Sequence, residues 1–187
     1  MKQQILFFKK YLNNPKHIGS VAPSSRFLAE RMLNAAPWGQ VKTIVELGSG
    51  TGAITRALAQ CTKPGMRVML FEKDEDMRVR LQHEFPHFLC EGNAMKLVYH
   101  LNRNNIYSVD CIFSGLPFFN FSTAIRMHLI KQIHESLKPG GTFITFQYSL
   151  QMRKLLSNFF EIERISLVLL NFPPAFVYVC RKRGRGE

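Results

Sequence analysis

The chain has 187 residues, 46% of them hydrophobic and 20% charged, which suits one buried globular core and leaves little room for a second folded unit. No stretch approaches the roughly 18 uninterrupted apolar residues of a membrane-crossing helix, and the apolar run Ile5-Leu6-Phe7-Phe8 is cut short by Lys9 and Lys10 without a small-residue cleavage site, so a cytoplasmic location is expected. The net charge of +12 lies mostly at the two ends: residues 1 to 31 carry six cations against Glu30, and residues 181 to 187 carry Arg181, Lys182, Arg183 and Arg185 against Glu187, which points to an anionic partner, either a phospholipid surface or nucleic acid.

In chain order, residues 1 to 13 and 23 to 35 read as helices, the second opened by Pro23-Ser24-Ser25 and closed before Pro37. In the first, Ile5, Phe7, Phe8, Tyr11 and Leu12 fall on an arc roughly 160° wide and Lys2, Lys9 and Lys10 lie mainly opposite, at about 100° per residue. Gln4 interrupts that face and Leu6 strays from it. Such a basic amphipathic helix suits a lipid headgroup region, or equally a lid folded with its aromatic side over a ligand. From residue 43 the pattern alternates. Apolar, β-branched runs at 43 to 47, 66 to 72, 87 to 91, 109 to 114 and 141 to 147 predict strands, and the first four lead into helices at 52 to 61, 74 to 84, 94 to 101 and 122 to 137. This alternation demands a mainly parallel sheet with helices on both faces. A short helix at 150 to 157 precedes strands at 159 to 169 and 175 to 181, whose close connection through Asn171-Phe172-Pro173-Pro174 makes them an antiparallel hairpin. Cys61, Cys90, Cys111 and Cys180 contain no C-x-x-C pair and sit in or beside apolar stretches, as reduced core cysteines do, and no metal site is expected.

The strand at 43 to 47 runs into Gly48-Ser49-Gly50-Thr51-Gly52 and directly into a helix. Glycines permit the tight turn and let backbone amides approach a ligand at the positive helix end. Glu46 stands two residues before the loop, and Glu72 ends the second strand about twenty residues on, where a ribose diol needs a carboxylate acceptor.

The stretch Val45-Glu46-Leu47-Gly48-Ser49-Gly50-Thr51-Gly52 resembles the first motif of class I S-adenosylmethionine-dependent methyltransferases. Gly92-Asn93-Ala94 resembles the adenine-holding G-D-A segment of that family, and Leu137-Lys138-Pro139-Gly140-Gly141 its turn before the fifth strand. Asn93 stands where aspartate is commoner; its side-chain oxygen can still accept from an adenine amine, or it is an ordinary turn residue. The resemblance implies an α/β, Rossmann-like seven-stranded methyltransferase sheet with a C-terminal antiparallel hairpin. A single domain spans 1 to 187, with an N-terminal helical region at 1 to 36 and a core at 41 to 182. The cofactor is then S-adenosylmethionine, held by Glu46, Gly48, Ser49, Gly50, Gly52, Glu72, Asn93, Ala94 and Ser114.

The acceptor side rests on the loop after the fourth strand, since ligands of such sheets lie beyond the carboxyl ends of the strands. Ribosomal RNA adenine dimethylases carry N-L-P-[YF] there; here Gly115 replaces the polar residue of Gly115-Leu116-Pro117-Phe118. Gly19 to Ser25, residues 114 to 118, Gln147-Tyr148-Ser149 and Asn171 to Tyr178 instead resemble the soluble, peripheral bacterial phosphatidylethanolamine N-methyltransferases. That resemblance implies sequential methylation of the ethanolamine amine by an enzyme resting on the inner face of the membrane. Its N-terminal basic helix would contact anionic phospholipid, and Ser24, Gly115, Leu116, Pro117 and Phe118 would contact the substrate. Ser24 and Ser25 equally suit helix capping. No carboxylate lies in residues 111 to 134, so Tyr148, at the end of the fifth strand, is the catalytic candidate for orienting the amine or passing its proton to water. RNA adenine methylation and a non-catalytic cofactor-binding role are the alternatives.

Overall fold

The computed structural model describes residues 24–184. Seven strands, β1 (Thr43–Leu47), β2 (Arg67–Phe71), β3 (Leu89–Glu91), β4 (Val109–Ser114), β5 (Leu137–Gln147), β6 (Glu161–Val168) and β7 (Ala175–Arg181), form one sheet in the order β3-β2-β1-β4-β5-β7-β6. Strands β1 to β5 pair in parallel, and β7 is antiparallel to both β5 and β6. This is the mainly parallel sheet with a terminal antiparallel hairpin that the alternation predicts, and its seven strands are the number that the family resemblance implies. The helices among the described residues are α1 (Arg26–Leu33), α2 (Ala53–Cys61), α3 (Glu75–Glu84), α4 (Leu97–Arg103), α5 (Thr123–Ser136) and α6 (Arg153–Ser157). The predicted helix at 1 to 13 lies outside the described residues.

Successive strand residues point to opposite faces, so each strand contributes to two cores. Val45, Leu47, Met69, Ile112 and Phe143 pack with Leu101 of α4, Ile130 and Ile133 of α5 and Leu156 of α6. Ile44, Val68, Leu70, Phe113 and Ile144 pack with Leu28 and Met32 of α1, Leu58 of α2 and Leu81 of α3. Both faces are therefore covered, which is why the central strands read as near-continuous apolar runs. Cys111 and Cys180 are buried in these layers, and all four cysteines are free.

Two expectations are corrected. The Lys138-Pro139-Gly140-Gly141 segment was expected as a turn ahead of the strand, but β5 begins at Leu137. Its register against β4 shifts between Val109 and Cys111, and Gly140 and Gly141 exchange backbone bonds of 2.9 Å with Lys182, so the irregular stretch is tied in from the β7 side. The C-terminal cations are also less available than composition implies: Arg181 pairs with Glu163, and the Lys182 Nζ donates to the carbonyls of His134 and Leu137 at 2.6 Å.

In the strand order, the direction of winding reverses between β1 and β4. The carboxyl ends of those two strands open the crevice in which doubly wound sheets bind their ligands.

Candidate active site

The loop after β1 turns through three positive-φ glycines, Gly48 (75°), Gly50 (54°) and Gly52 (82°), before α2 begins at Ala53. Gly48 N–H and Ser49 N–H donate to the Phe71 carbonyl at 2.8 and 3.2 Å, which docks the loop on the end of β2. Gly50 N–H donates to Glu72 Oε2 at 2.7 Å, and Asp74 N–H donates to Oε1 at 2.9 Å. Glu72 thus braces the loop with one oxygen and the start of α3 with the other, while each oxygen keeps a lone pair for a ligand hydroxyl.

A cavity of about 1120 Å³ lies over these groups. Pockets for one small ligand span about 300–1,000 Å³, so this one has room for two reactants side by side. One half is lined by Gly48, Ser49, Gly50, Thr51, Glu72, Asp74, Met77 and Gly92 to Met95. The other is lined by Ser24, Gly115 to Pro117, Phe119, Phe121, Ile125, Arg126, Leu129, Phe146 to Ser149, Gln151 and Met152. Of the residues predicted from sequence, Gly48, Ser49, Gly50, Glu72, Asn93, Ala94, Ser24, Gly115, Leu116, Pro117 and Tyr148 come together on this wall.

Four others do not reach the wall, each for a visible reason. Gly52 is the N-cap of α2, where an added Cβ would meet Arg56 and Leu81 at 3.0 Å. Ser114 is fully buried; its hydroxyl accepts from Leu116 N–H at 3.2 Å and so shapes the acceptor loop from beneath. Phe118 is 0% exposed and packs edge-on to Phe121 and Phe143, at ring separations of 6.2 and 6.4 Å. The tight turn Phe118–Asn120 rotates consecutive side chains by roughly a third of a circle. Phe119 therefore lines the cavity where Phe118 was expected. Glu46, the fourth, lies within β1 behind the glycine loop and is completely buried. Thr55 donates to its Oε2 at 2.8 Å, while Oε1 has no partner among the described residues. Burial pushes its pKa up to about 7; the Thr55 hydrogen bond opposes that rise and the charge of Glu72 adds to it.

The two serines divide their work. Ser25 caps α1, its hydroxyl accepting from Leu28 N–H at 3.2 Å, and Ser24 faces the cavity. Asn93 caps the turn Ala94–Lys96 by accepting from Met95 N–H at 3.0 Å. It is thus both the turn residue and part of the cavity wall.

Two wall residues went unassigned in the sequence. Gln147 donates to the Leu116 carbonyl at 3.0 Å and fixes the acceptor loop from β5. Arg126, in the first turns of α5, donates from Nε to the Phe118 carbonyl at 3.0 Å and from Nη2 to the carbonyls of Phe119 and Phe121 at 3.3 and 3.0 Å. Its place, four residues past the Ser122 cap and just after the aromatic turn, was the available signal.

Gly115 has a steric role. Its N–H donates to the Leu47 carbonyl at 2.8 Å, and a Cβ there would lie 2.9 Å from the Gly48 carbonyl oxygen. The cofactor-side loop and the acceptor loop touch backbone to backbone, so the polar side chain of adenine dimethylases has no space at 115. Gly115→Asn is expected to cost about 1–3 kcal/mol of stability through overpacking. Denaturant melts check this, and an unchanged midpoint would contradict the packing.

A switch-point crevice fed by a glycine loop, with a carboxylate at the end of the neighbouring strand hydrogen-bonded to that loop, defines an α/β enzyme built around a nucleoside cofactor. Residues 44–141 match the family model described as a methyltransferase domain. The chain is 32% identical over 97% of its length to the ornithine lipid N-methyltransferase of Singulisphaera acidiphila, covering 97% of that protein. It is 26% identical over 85% of its length to the ribosomal RNA small subunit methyltransferase A of Thermotoga maritima, covering 58% of that protein. Among solved structures, the N-methyltransferase NodS of Bradyrhizobium japonicum in complex with S-adenosyl-L-homocysteine shares the fold, with a TM-score of 0.65 at 13% identity, over 96% of this chain and 98% of that one. The chain belongs to the class I S-adenosylmethionine-dependent methyltransferases. Its residues fit that cofactor: the glycine loop has open space where a Gly50 Cβ would stand, Glu72 has acceptor capacity to spare, and the Ser49 hydroxyl is buried without a partner among the described residues.

Proposed function

We propose that this methyltransferase acts on the amine of a zwitterionic membrane lipid. The observation that carries the reading is the acceptor half of the cavity, which among the described residues has apolar walls, one cation and no carboxylate. Leu116, Phe119, Phe121, Ile125 and Leu129 suit an amphiphile, and Arg126 keeps its Nη1 without a hydrogen bond among the described residues. A guanidinium in that position complements a headgroup anion while the amine points toward the cofactor half. Phosphatidylethanolamine, the acceptor that the sequence resemblance implies, has a phosphate and a primary amine. Ornithine lipid, the acceptor in the name of the full-length relative, pairs a carboxylate with a primary amine. Both satisfy the site.

S-adenosylmethionine supplies an electrophilic methyl group on a sulfonium. In this reading Gly48, Ser49, Gly50 and Glu72 hold the cofactor, with Asn93 and Ala94 beside the adenine. Gly115 to Pro117 set the line of approach at the junction of the two halves, and the aromatic walls exclude water. An ammonium has no lone pair, so the headgroup reacts only after deprotonation. With no carboxylate on the acceptor wall among the described residues, Tyr148 is the group that orients the neutral amine. Its ring stacks edge-on to Phe146 at 5.7 Å on that wall. Loss of one orienting hydrogen bond of about 1–1.5 kcal/mol predicts that Tyr148→Phe lowers kcat about tenfold. Cofactor affinity stays constant; steady-state kinetics with a parallel binding titration separates the two.

The reading is tested with purified protein, cofactor labelled in the methyl group, and vesicles containing phosphatidylethanolamine or ornithine lipid. Label in the extracted lipid is expected, and the better headgroup identifies the acceptor. The 26% identity to a ribosomal RNA methyltransferase and the basic charge support RNA as the second reading. Label in ribosomal RNA alone overturns the lipid assignment.

A further inference from the structure

We propose that the β6–β7 turn, together with Leu150, is a docking surface for an anionic lipid bilayer, which brings the mouth of the cavity onto the membrane. The proposal rests on the lipid reading above and adds the surface. Leu169 and Leu170, in the turn after β6, are 70% and 65% exposed, and Leu167 and Leu150 are close to half exposed. Hydrogen bonds of Asn171 anchor the turn with these side chains outward. Asn171, between them and β7, is 5% exposed, donates to the Pro173 carbonyl at 2.7 Å and accepts from Ser25 N–H at 3.0 Å. A hydrogen-bonded loop that presents adjacent leucines to water has an apolar partner to meet.

Topology puts this surface at the active end of the molecule. Strands β5 and β6 are both antiparallel to β7, so they run in the same direction, and the carboxyl end of β6 lies on the edge of the sheet where the cavity opens. Gln147, on the cavity wall, is paired with Phe176, which is paired with Leu167, so Leu167 stands roughly 10 Å from the wall at two strand spacings. The Asn171 bond ties the turn to Ser25, next to the cavity residue Ser24. Leu150 lies between the cavity residues Ser149 and Gln151 and shares a shallow groove with Leu167, Arg153 and Arg164.

Charge selects the occupant. The acid of that groove, Glu163, is paired with Arg181, whereas Arg153 and Arg164 are exposed and have no salt bridge among the described residues. An apolar strip with a basic border fits the boundary between headgroups and acyl chains of an anionic leaflet. The N-terminal segment with its predicted basic helix lies outside the described residues; this surface is a separate contact within the folded core.

The test compares the wild-type chain with the double variant Leu169→Ser/Leu170→Ser and the double variant Arg153→Glu/Arg164→Glu. Binding is measured by co-sedimentation with vesicles of phosphatidylethanolamine and phosphatidylglycerol, and with vesicles of phosphatidylcholine. The leucine variant is expected to bind at least about tenfold more weakly, and the arginine variant to lose its preference for the anionic vesicles. Neither pair lies on the cavity wall, so cofactor binding and turnover on a short-chain lipid dispersed as monomers remain at wild-type level and report an intact fold. Leucine-variant binding equal to wild type overturns the proposal, as does a wild-type chain that sediments with neither vesicle. A wild-type chain that binds vesicles with this leucine dependence yet labels no lipid leaves the surface standing and removes the functional reading.

Discussion

Replacing Glu72 by alanine is expected to weaken cofactor binding about a hundredfold, through two losses that a second substitution separates. Hydrogen bonds to a charged acceptor contribute about 1.5–3 kcal/mol each, and a ribose offers two hydroxyls to this carboxylate. The same carboxylate receives Gly50 N–H at 2.7 Å and Asp74 N–H at 2.9 Å, so its removal also frees the glycine loop from the head of α3. Glu72→Gln keeps the shape and one oxygen acceptor. It retains one of the two backbone braces and removes the charge, so a smaller loss of about tenfold is expected. Isothermal titration with S-adenosyl-L-homocysteine measures both variants. Equal losses for alanine and glutamine would mean that charge alone acts; no loss in either would remove Glu72 from the cofactor site. Thermal melting accompanies the titration, because the alanine variant, which loses both braces, is expected to soften the loop more than the glutamine variant, which loses one.

The elements that were legible in the sequence are those whose signal is local. The apolar, β-branched runs placed β1, β4 and β7 to the residue, and the glycine loop with Glu72 predicted which strand ends meet. What the sequence obscured depends on contacts between distant segments. Gly115 reads as a missing acceptor in the one-dimensional motif; its cause is the Gly48 carbonyl, sixty-seven positions away in the chain. Phe118 and Phe119 are chemically identical neighbours, and only the sense of a tight turn decides which one enters the core. The reach of Arg126 back to three carbonyls follows from how α5 sits over the aromatic turn, which no periodicity encodes. Leu167 and Leu169 read as the tail of a strand, because exposure is not written in residue type. The C-terminal cations mislead in the opposite way: a sum of charges counts Arg181 and Lys182 as free, whereas Glu163 and two carbonyls hold them.

Glu46 carries the largest expected effect on stability, and it depends on pH. In the unfolded chain this carboxyl titrates near its ordinary 4.5; in the folded protein, burial raises it to about 7, against the Thr55 hydrogen bond and aided by Glu72. Between those values the folded state holds a proton that the unfolded state has released. Stability therefore falls as pH rises through this window and levels off above it. A raised carboxyl is neutral and well accommodated below about 4.5, and it becomes a buried charge above about 7. The difference corresponds to about 3 kcal/mol for a fully buried group. Glu46→Gln keeps the acceptor for the Thr55 hydroxyl and carries no proton to lose, so the ligand-free variant is expected to lack this component of the slope. Urea denaturation below and above the window checks it; parallel slopes in the two proteins would show that Glu46 ionises normally. The same carboxyl lies behind the glycine loop on the cofactor side, and S-adenosylmethionine carries positive charge on its sulfonium and amino group. Ionised Glu46 favours that charge, so wild-type cofactor affinity is expected to rise with pH across about 7, and the affinity of Glu46→Gln to be weaker and flat. Glu72→Gln withdraws the neighbouring negative charge, which lowers the Glu46 pKa and moves both transitions to lower pH. That joint displacement of the stability and affinity profiles is a signature of coupling between the two carboxylates, and an isolated packing role for Glu46 would not produce it.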